Sequence, residues 1–425
     1  MSETVRIPTI RPEHAVVHVG TSSAFLDRCV DGIADAMSNA TNGLDNIAPQ
    51  LFSWITDERN LRSAWDHLAA HGGQTPGRNG HRYGDLSECE IWGLLRCLRD
   101  AIRTGIYHSG PIRRKRIPKL SGSGHRIISL QNIEDRVVAR AIVQIIQPLL
   151  DPKFDAGSFG FRPGLSRMHA LATAEVHITS VRRTCLVVDD GKDAFDNISR
   201  NRLLDVLRLT LPGNVTELIE LVMTTDTRRG VCQGSPLSPL LLNVYLDHFL
   251  DKPWRERHPD DPLIRSADDI LICCDNVGQA KQDYLDLQEM MTRAGMPLKG
   301  DEETAIQDLS RGENTDWLGY RLSFHKDDLI CRISDRDWTT LALRLEDAHD
   351  KPCSPLVANL IVAGWIDQLG PCFRSEHTDD VIARVRSIAA DLAFDEIPTD
   401  RDLRNRWQAA VDRWNAIRDE IRAAK

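Results

Sequence analysis

The 425 residues contain no apolar run approaching the length of a membrane span, about 20 residues. The N-terminus, Met1-Ser2-Glu3-Thr4-Val5-Arg6, lacks the basic-then-apolar form of a secretory signal. The expectation is therefore a cytoplasmic protein without a membrane partner. The 10 cysteines include no CxxC pair and meet no histidine at zinc spacing, which argues against disulfides and against a structural metal. They read as reduced thiols filling core. Sequence repeats and low-complexity tails are also missing. Positive charge is in deficit: 53 Lys and Arg against 62 Asp and Glu leave a net charge of -9. That balance disfavours an indiscriminate binder of nucleic acid and suits one dedicated partner. At this length the chain can bury a large core and form two or three subdomains.

What is present begins with Leu263-Ile264-Arg265-Ser266-Ala267-Asp268-Asp269-Ile270-Leu271-Ile272-Cys273-Cys274. Two short apolar runs flank a polar centre with paired aspartates, the pattern of a β-hairpin whose turn carries carboxylates. Such a pair is either a turn cap or a site where a divalent cation relieves the repulsion. Upstream, Cys185-Leu186-Val187-Val188-Asp189-Asp190-Gly191 is a second apolar strand that delivers aspartate to its C-terminal end. Period-two alternation turns Asp189 to the face opposite Asp190, leaving Asp190 as the ligand candidate and Asp189 structural. Between the two sites lies Gln233-Gly234-Ser235-Pro236-Leu237-Ser238-Pro239, followed by a helical pattern from Leu240.

In order along the chain, one or two short helices are expected around Ala24 to Met37 and amphipathic helices between Leu51 and Ile106, interrupted by a Gly/Pro loop at 72–80. Arg113-Arg114-Lys115-Arg116 is a dense cationic run, either a solvated face or a phosphate contact. Ile117 to Leu130 reads as a hairpin with Ser121-Gly122-Ser123-Gly124 as its loop. A helix follows over Asp135 to Ile146, then the block Ser158-Phe159-Gly160-Phe161-Arg162-Pro163-Gly164. From about Cys331 the pattern is wholly helical, with stripes at Trp338, Leu341, Leu345 and Ala348, at 356–369, at 382–392 and at 403–421.

Strand-Asp, QGSPLSP-helix and an SADD hairpin, in that order, resemble the palm of reverse transcriptases. The resemblance extends over roughly residues 55 to 370. It is greatest to the bacterial branch that includes group II intron-encoded, retron, CRISPR-associated and phage-defence enzymes. It implies an α+β right-hand polymerase: a helical N-terminal extension over 1–108, fingers over 109–183, a palm of antiparallel sheet plus helices over 184–330, and a helical thumb-like domain over 331–425. It implies RNA-directed DNA polymerase activity, a nucleotidyl transfer with two Mg²⁺ ions, or Mn²⁺ in their place. By that resemblance Asp190, Asp268 and Asp269 are catalytic, and they hold metal together with Gly191. Lys119, Arg126, Asp193, Ala194, Phe195 and Gln233 bind the incoming dNTP, with Phe195 as the aromatic gate against a ribose 2′-hydroxyl. Arg162, Gly234, Ser235, Ser266, Trp317, Leu318 and Gly319 contact template or primer. The chemistry suits these residue types, since Lys offers a point charge and Arg a planar fork to phosphate oxygens.

Three positions depart from the family. Asn79 replaces an aspartate in the N-terminal loop. Ser266 stands where an aromatic residue usually supports the primer end. Glu303 stands where a lysine usually precedes Thr304, leaving Lys299 as the nearby cation. No endonuclease, integrase or protease pattern follows the polymerase blocks. The implied role is copying a cognate structured non-coding RNA into DNA in anti-phage defence. Untemplated or protein-primed synthesis, a retron or intron-type enzyme, and a catalytically silent RNA-binding scaffold are the alternatives.

Overall fold

The computed structural model describes residues 22–38, 43–118, 125–223 and 229–423. Among these, no helix is long and apolar enough to cross a membrane. The chain divides into two compact units, one from 1–117, 127–154 and 193–248, the other from 118–126, 155–192 and 249–425.

The first unit is organised around the helix Ile133–Leu150. Its apolar residues run all round the cylinder, and Val137, Val138, Ile142, Ile145 and Ile146 are completely buried. A helix of that kind needs cover on every side. The helices Ser22–Ser38, Gly43–Ile55, Glu58–His71, Gly213–Val222 and Ser238–Leu246 provide it. The buried amide of Asn60 donates to the Ala141 and Ile55 carbonyls, each at 3.0 Å. The expected hairpin is present as β1 (Arg113–Pro118) and β2 (His125–Leu130), with the cationic side chains of 113–116 exposed on β1.

The second unit holds a four-stranded antiparallel sheet of β3 (Cys185–Asp190), β4 (Leu263–Ser266), β5 (Asp269–Cys274) and β6 (Ile306–Asp308). The order is β4-β5-β3-β6. Residues Ile270 to Cys274 of β5 are all fully buried, because the strand is covered on both faces. Leu271 and Cys273 share a core with the helix Arg167–Thr179, while the Cys274 thiol donates to Asp283 on the helix Val277–Arg293. A second sheet, β7 (Thr315–Trp317), β8 (Tyr320–His325) and β9 (Asp328–Ile333), joins that core. Here the expectation of a helix from Cys331 is corrected. Leu329, Cys331 and Ile333 are buried and alternate with more exposed residues, the period of a strand. Helix begins only at Asp335, capped by the Ser334 hydroxyl accepting from the Asp337 N–H. The remaining helices, Ser354–Ile366, Thr378–Asp391 and Asp400–Ala423, follow the expected stripes. A buried bidentate pair fastens the last of them, Arg418 donating to both carboxylate oxygens of Glu175 at 2.6 and 2.5 Å. All 10 cysteines are free thiols, most of them buried.

Candidate active site

The sheet places three carboxylates at one end of its two central strands. Asp190, the last residue of β3, pairs directly across from Asp269, the first residue of β5. One step further, the Gly191 N–H donates to the Asp268 carbonyl at 3.1 Å. Cross-strand partners bring their side chains to within about 5 Å. Asp189 turns the other way, as alternation requires. Its Oδ1 accepts the Gly300 N–H at 2.9 Å and the Asp190 N–H at 2.8 Å. A Cβ at Gly300 would sit 3.1 Å from that carboxylate, so a glycine suits the approach.

The connection between β4 and β5 is only Ala267 and Asp268, with Ser266 pairing Asp269. Ala267 lies at φ 62, the left-handed region that the first position of a type II′ turn demands and that glycine normally fills. The strain is held by a brace. Arg265, completely buried in β4, donates to the Ala267 carbonyl at 2.7 Å. The same guanidinium meets both carboxylate oxygens of buried Asp251, at 2.9 and 2.5 Å, and the Ser158 hydroxyl at 2.8 Å. Backbone bonds at 2.8 Å, from Phe159 N–H to Arg265 and from Arg265 N–H to Gly157, run the 157–159 segment alongside β4. A Cβ on Gly160 would lie 2.1 Å from the Ala267 nitrogen.

Electrostatics mark the cluster. Burial, followed by the Asp268 and Asp190 charges, pushes the Asp269 carboxyl up to about 6, against the opposing pull of Arg336 and Lys299. Lys299 is tied to β3 twice: its N–H donates to the Asp190 carbonyl and its Nζ lies 3.0 Å from Asp190 Oδ2. The donors are hard oxygens whose mutual repulsion a cation would relieve, and a lysine ammonium already reaches one of them. This set fits a divalent ion such as Mg²⁺.

The other candidates distribute as follows. Asp193, left-handed at φ 46, starts the short helix Ala194–Asn197, where Ala194 is buried and Phe195 half-buried. The Phe195 carbonyl accepts the Val231 N–H at 2.9 Å, and Gln233 Nε2 donates to Asp196 at 3.2 Å. Gln233 also receives the Ser129 N–H of β2 on its carbonyl, beside Gly234 at φ 111 and buried Ser235. Phe195 and Gln233 therefore share one neighbourhood of the first unit, against the end of the hairpin. Lys119 lies outside the described residues, and of Arg126 only the backbone, in β2, is described.

In the second unit, Leu318 and Gly319 form a two-residue turn at φ 51 and 87, with the Leu318 carbonyl accepting from Arg167 at 3.0 Å. Trp317 is buried in the core, so it sets the turn rather than facing a ligand. Arg162 donates to the Asp155 and Ser158 carbonyls at 3.0 and 2.7 Å, bracing its own loop. Sequence reasoning missed Arg265, Asp251, Gly160 and Arg336. The only available signal was an arginine inside an apolar strand, which demands a buried partner.

Antiparallel β3 and β5 that end in converging aspartates, with β5 joined to β4 by a strained two-residue turn, have the arrangement expected of a right-hand polymerase palm. Residues 117–322 match the family described as reverse transcriptase (RNA-dependent DNA polymerase). Among curated relatives, protein YkfC of Escherichia coli K12 is 30% identical over 204 residues, 45% of this chain and 53% of that protein. The group II intron-encoded protein LtrA of Lactococcus lactis is 28% identical over 225 residues, 50% of this chain and 36% of that protein. The chain thus spans about half or less of the length of these two relatives. Among solved structures, telomerase from Candida albicans in complex with a fragment of telomeric RNA aligns with a TM-score of 0.41 at 12% identity, covering 75% of this chain and 67% of that one.

Proposed function

We propose that this chain is an RNA-directed DNA polymerase that copies a cognate structured non-coding RNA in anti-phage defence. The observation that carries the polymerase reading is the convergence of Asp190, Asp268 and Asp269 at one end of adjacent strands, with the Asp269 carboxyl raised by its neighbours. These three carboxylates, with the Gly191 backbone, would hold the divalent ions, Mg²⁺ or Mn²⁺. When bound, such ions supply the charge neutralisation that phosphoryl transfer needs. The protein's own contribution is position. The ladder sets Asp190 against Asp269, Arg265 and Gly160 fix the turn that presents Asp268, and Asp189 holds the 299–300 segment beside them. Phe195 and Gln233 would receive the deoxynucleotide and its template base.

Ser266, small where the family carries an aromatic, favours a second reading of the same site: synthesis that is untemplated or primed from protein. Both are tested by purifying the chain natively beside an Asp268→Ala variant and sequencing all nucleic acid that co-purifies. One discrete RNA in both samples, with complementary DNA only in the active one, supports the proposal. Low-complexity DNA without a complementary RNA supports the second reading and overturns the first.

A further inference from the structure

Away from the paired carboxylates, the second unit gathers His258, Asp261 and Asp283, one ligand atom of each lying within 4.8 Å of the others. His258 ends the helix Lys252–Arg257, Asp261 lies in the loop before β4, and Asp283 comes from the helix Val277–Arg293 behind β5. Nδ1 of His258 faces Asp283 Oδ1 at 3.5 Å and Asp261 Oδ2 at 3.8 Å. The Asp283 side chain is 3% exposed and the His258 side chain 11%. Three acceptor-capable atoms are thus turned toward one another in a nearly closed space.

What surrounds them resembles the support of a built site. The far oxygen of Asp261 accepts from Arg183 Nη1 at 3.2 Å, and the far oxygen of Asp283 accepts the Cys274 thiol at 3.3 Å. The far ring nitrogen, Nε2, is buried without an aligned hydrogen bond and lies 3.1 Å from Asp286 Oδ2. A metal-bound imidazole normally keeps a carboxylate on its other nitrogen, fixing its tautomer. Trp254 stacks on the imidazole at 4.2 Å and donates from Nε1 to the Asp261 carbonyl at 2.9 Å, so ring and loop are held together. With a neutral imidazole, Arg183 and Arg257, the latter 3.4 Å from Asp286, leave one of the three aspartates unbalanced. A cation among the inward atoms would balance it.

We propose that His258, Asp261 and Asp283 form a binding site for a first-row divalent transition metal such as Zn²⁺, distinct from the Asp190, Asp268 and Asp269 cluster. Imidazole and carboxylate donors suit Zn²⁺ better than Mg²⁺. Tetrahedral zinc with ligands at about 2.0–2.1 Å places neighbouring donors about 3.4 Å apart; the two His258–carboxylate separations, 3.5 and 3.8 Å, need to close by only a few tenths of an ångström, and the two carboxylate oxygens lie within 4.8 Å of each other. The bound ion would clamp the loop that leads into β4 onto the helix behind β5. The ligands come from 258, 261 and 283, a spacing that no short zinc motif shows, which is why the sequence reads as metal-free here.

The test uses the full chain carrying Asp268→Asn and Asp269→Asn, so that the polymerase carboxylates do not compete. After chelation and desalting it is titrated with Zn²⁺ by calorimetry, with metal analysis and a thermal melt. One equivalent bound at micromolar affinity or better, with a melting point raised by several degrees, is expected. Affinity should fall at least tenfold in each of His258→Gln and Asp261→Asn. No saturable binding, or one equivalent that survives both substitutions, overturns the site and leaves an imidazole caged by carboxylates. Should a variant fail to fold, X-ray absorption on the zinc-loaded parent decides: a nitrogen donor among oxygens supports the site, and no nitrogen donor overturns it.

Discussion

Asp269 is the carboxylate of the cluster that its neighbours oppose most clearly. Its carboxyl is raised to about 6 because burial and two aspartates oppose its charge. A group whose folded value lies above its unfolded value stabilises the fold while protonated. That contribution is present below about pH 4 and is lost as pH rises through about 6. A bound divalent ion reverses the preference by favouring the ionised form. Two outcomes follow. In the absence of metal, the melting temperature of the parent should fall relative to an Asp269→Asn variant as pH rises from 4 to 7, and Mg²⁺ should recover the difference at pH 7. Nucleotide incorporation should decline as pH drops into the acid range, with a midpoint that moves lower as the fixed Mg²⁺ concentration is raised. A parent and an Asp269→Asn variant whose melting curves shift in parallel across that range would contradict this assignment.

At the scale of elements, the turn between β4 and β5 is presented by parts remote in sequence. Gly160 touches the Ala267 backbone and Arg265 holds its carbonyl. A Gly160→Ala substitution has no room for its methyl and should lower incorporation at least about tenfold, a barrier increase of about 1.4 kcal/mol, while the chain still melts cooperatively. Arg265→Ala strands Asp251 in the interior and should cost about 3–5 kcal/mol of stability, read from urea unfolding. Much of this element was legible in the sequence. The apolar runs, the alternation that separates Asp189 from Asp190, and the paired aspartates located β3, β4 and β5 from local pattern alone. The brace was not legible. Which carboxylate satisfies Arg265, and which backbone Gly160 must approach, are decided by tertiary contacts more than 100 residues apart along the chain for Ser158 and Arg265. Cys331 shows the opposite failure: its strand ends just before a strong helix cap, and the apolar spacing around it satisfies either period.

For the molecule as a whole, each compact unit carries buried polar ties between distant segments that a substitution can expose. In the first, the Tyr107 hydroxyl donates to Asp135 Oδ1 at 2.8 Å and the Gly110 N–H to Oδ2 at 3.0 Å, with burial pushing Asp135 up to about 6. Tyr107→Phe removes one partner of a buried acceptor and should destabilise by about 1–3 kcal/mol in denaturant titration. In the second, Arg418 fastens the last helix to Glu175 beneath the sheet, and Arg418→Ala should lower stability by about 3 kcal/mol or more. The most direct measurement is incorporation of labelled dNTPs by the purified full chain on a short RNA template annealed to a DNA primer, with and without Mg²⁺. The account predicts metal-dependent extension by the parent and a loss of more than about 1,000-fold, or about 4 kcal/mol of barrier, in Asp268→Ala and in Asp269→Ala. Extension that persists at parental rate in both variants would contradict it.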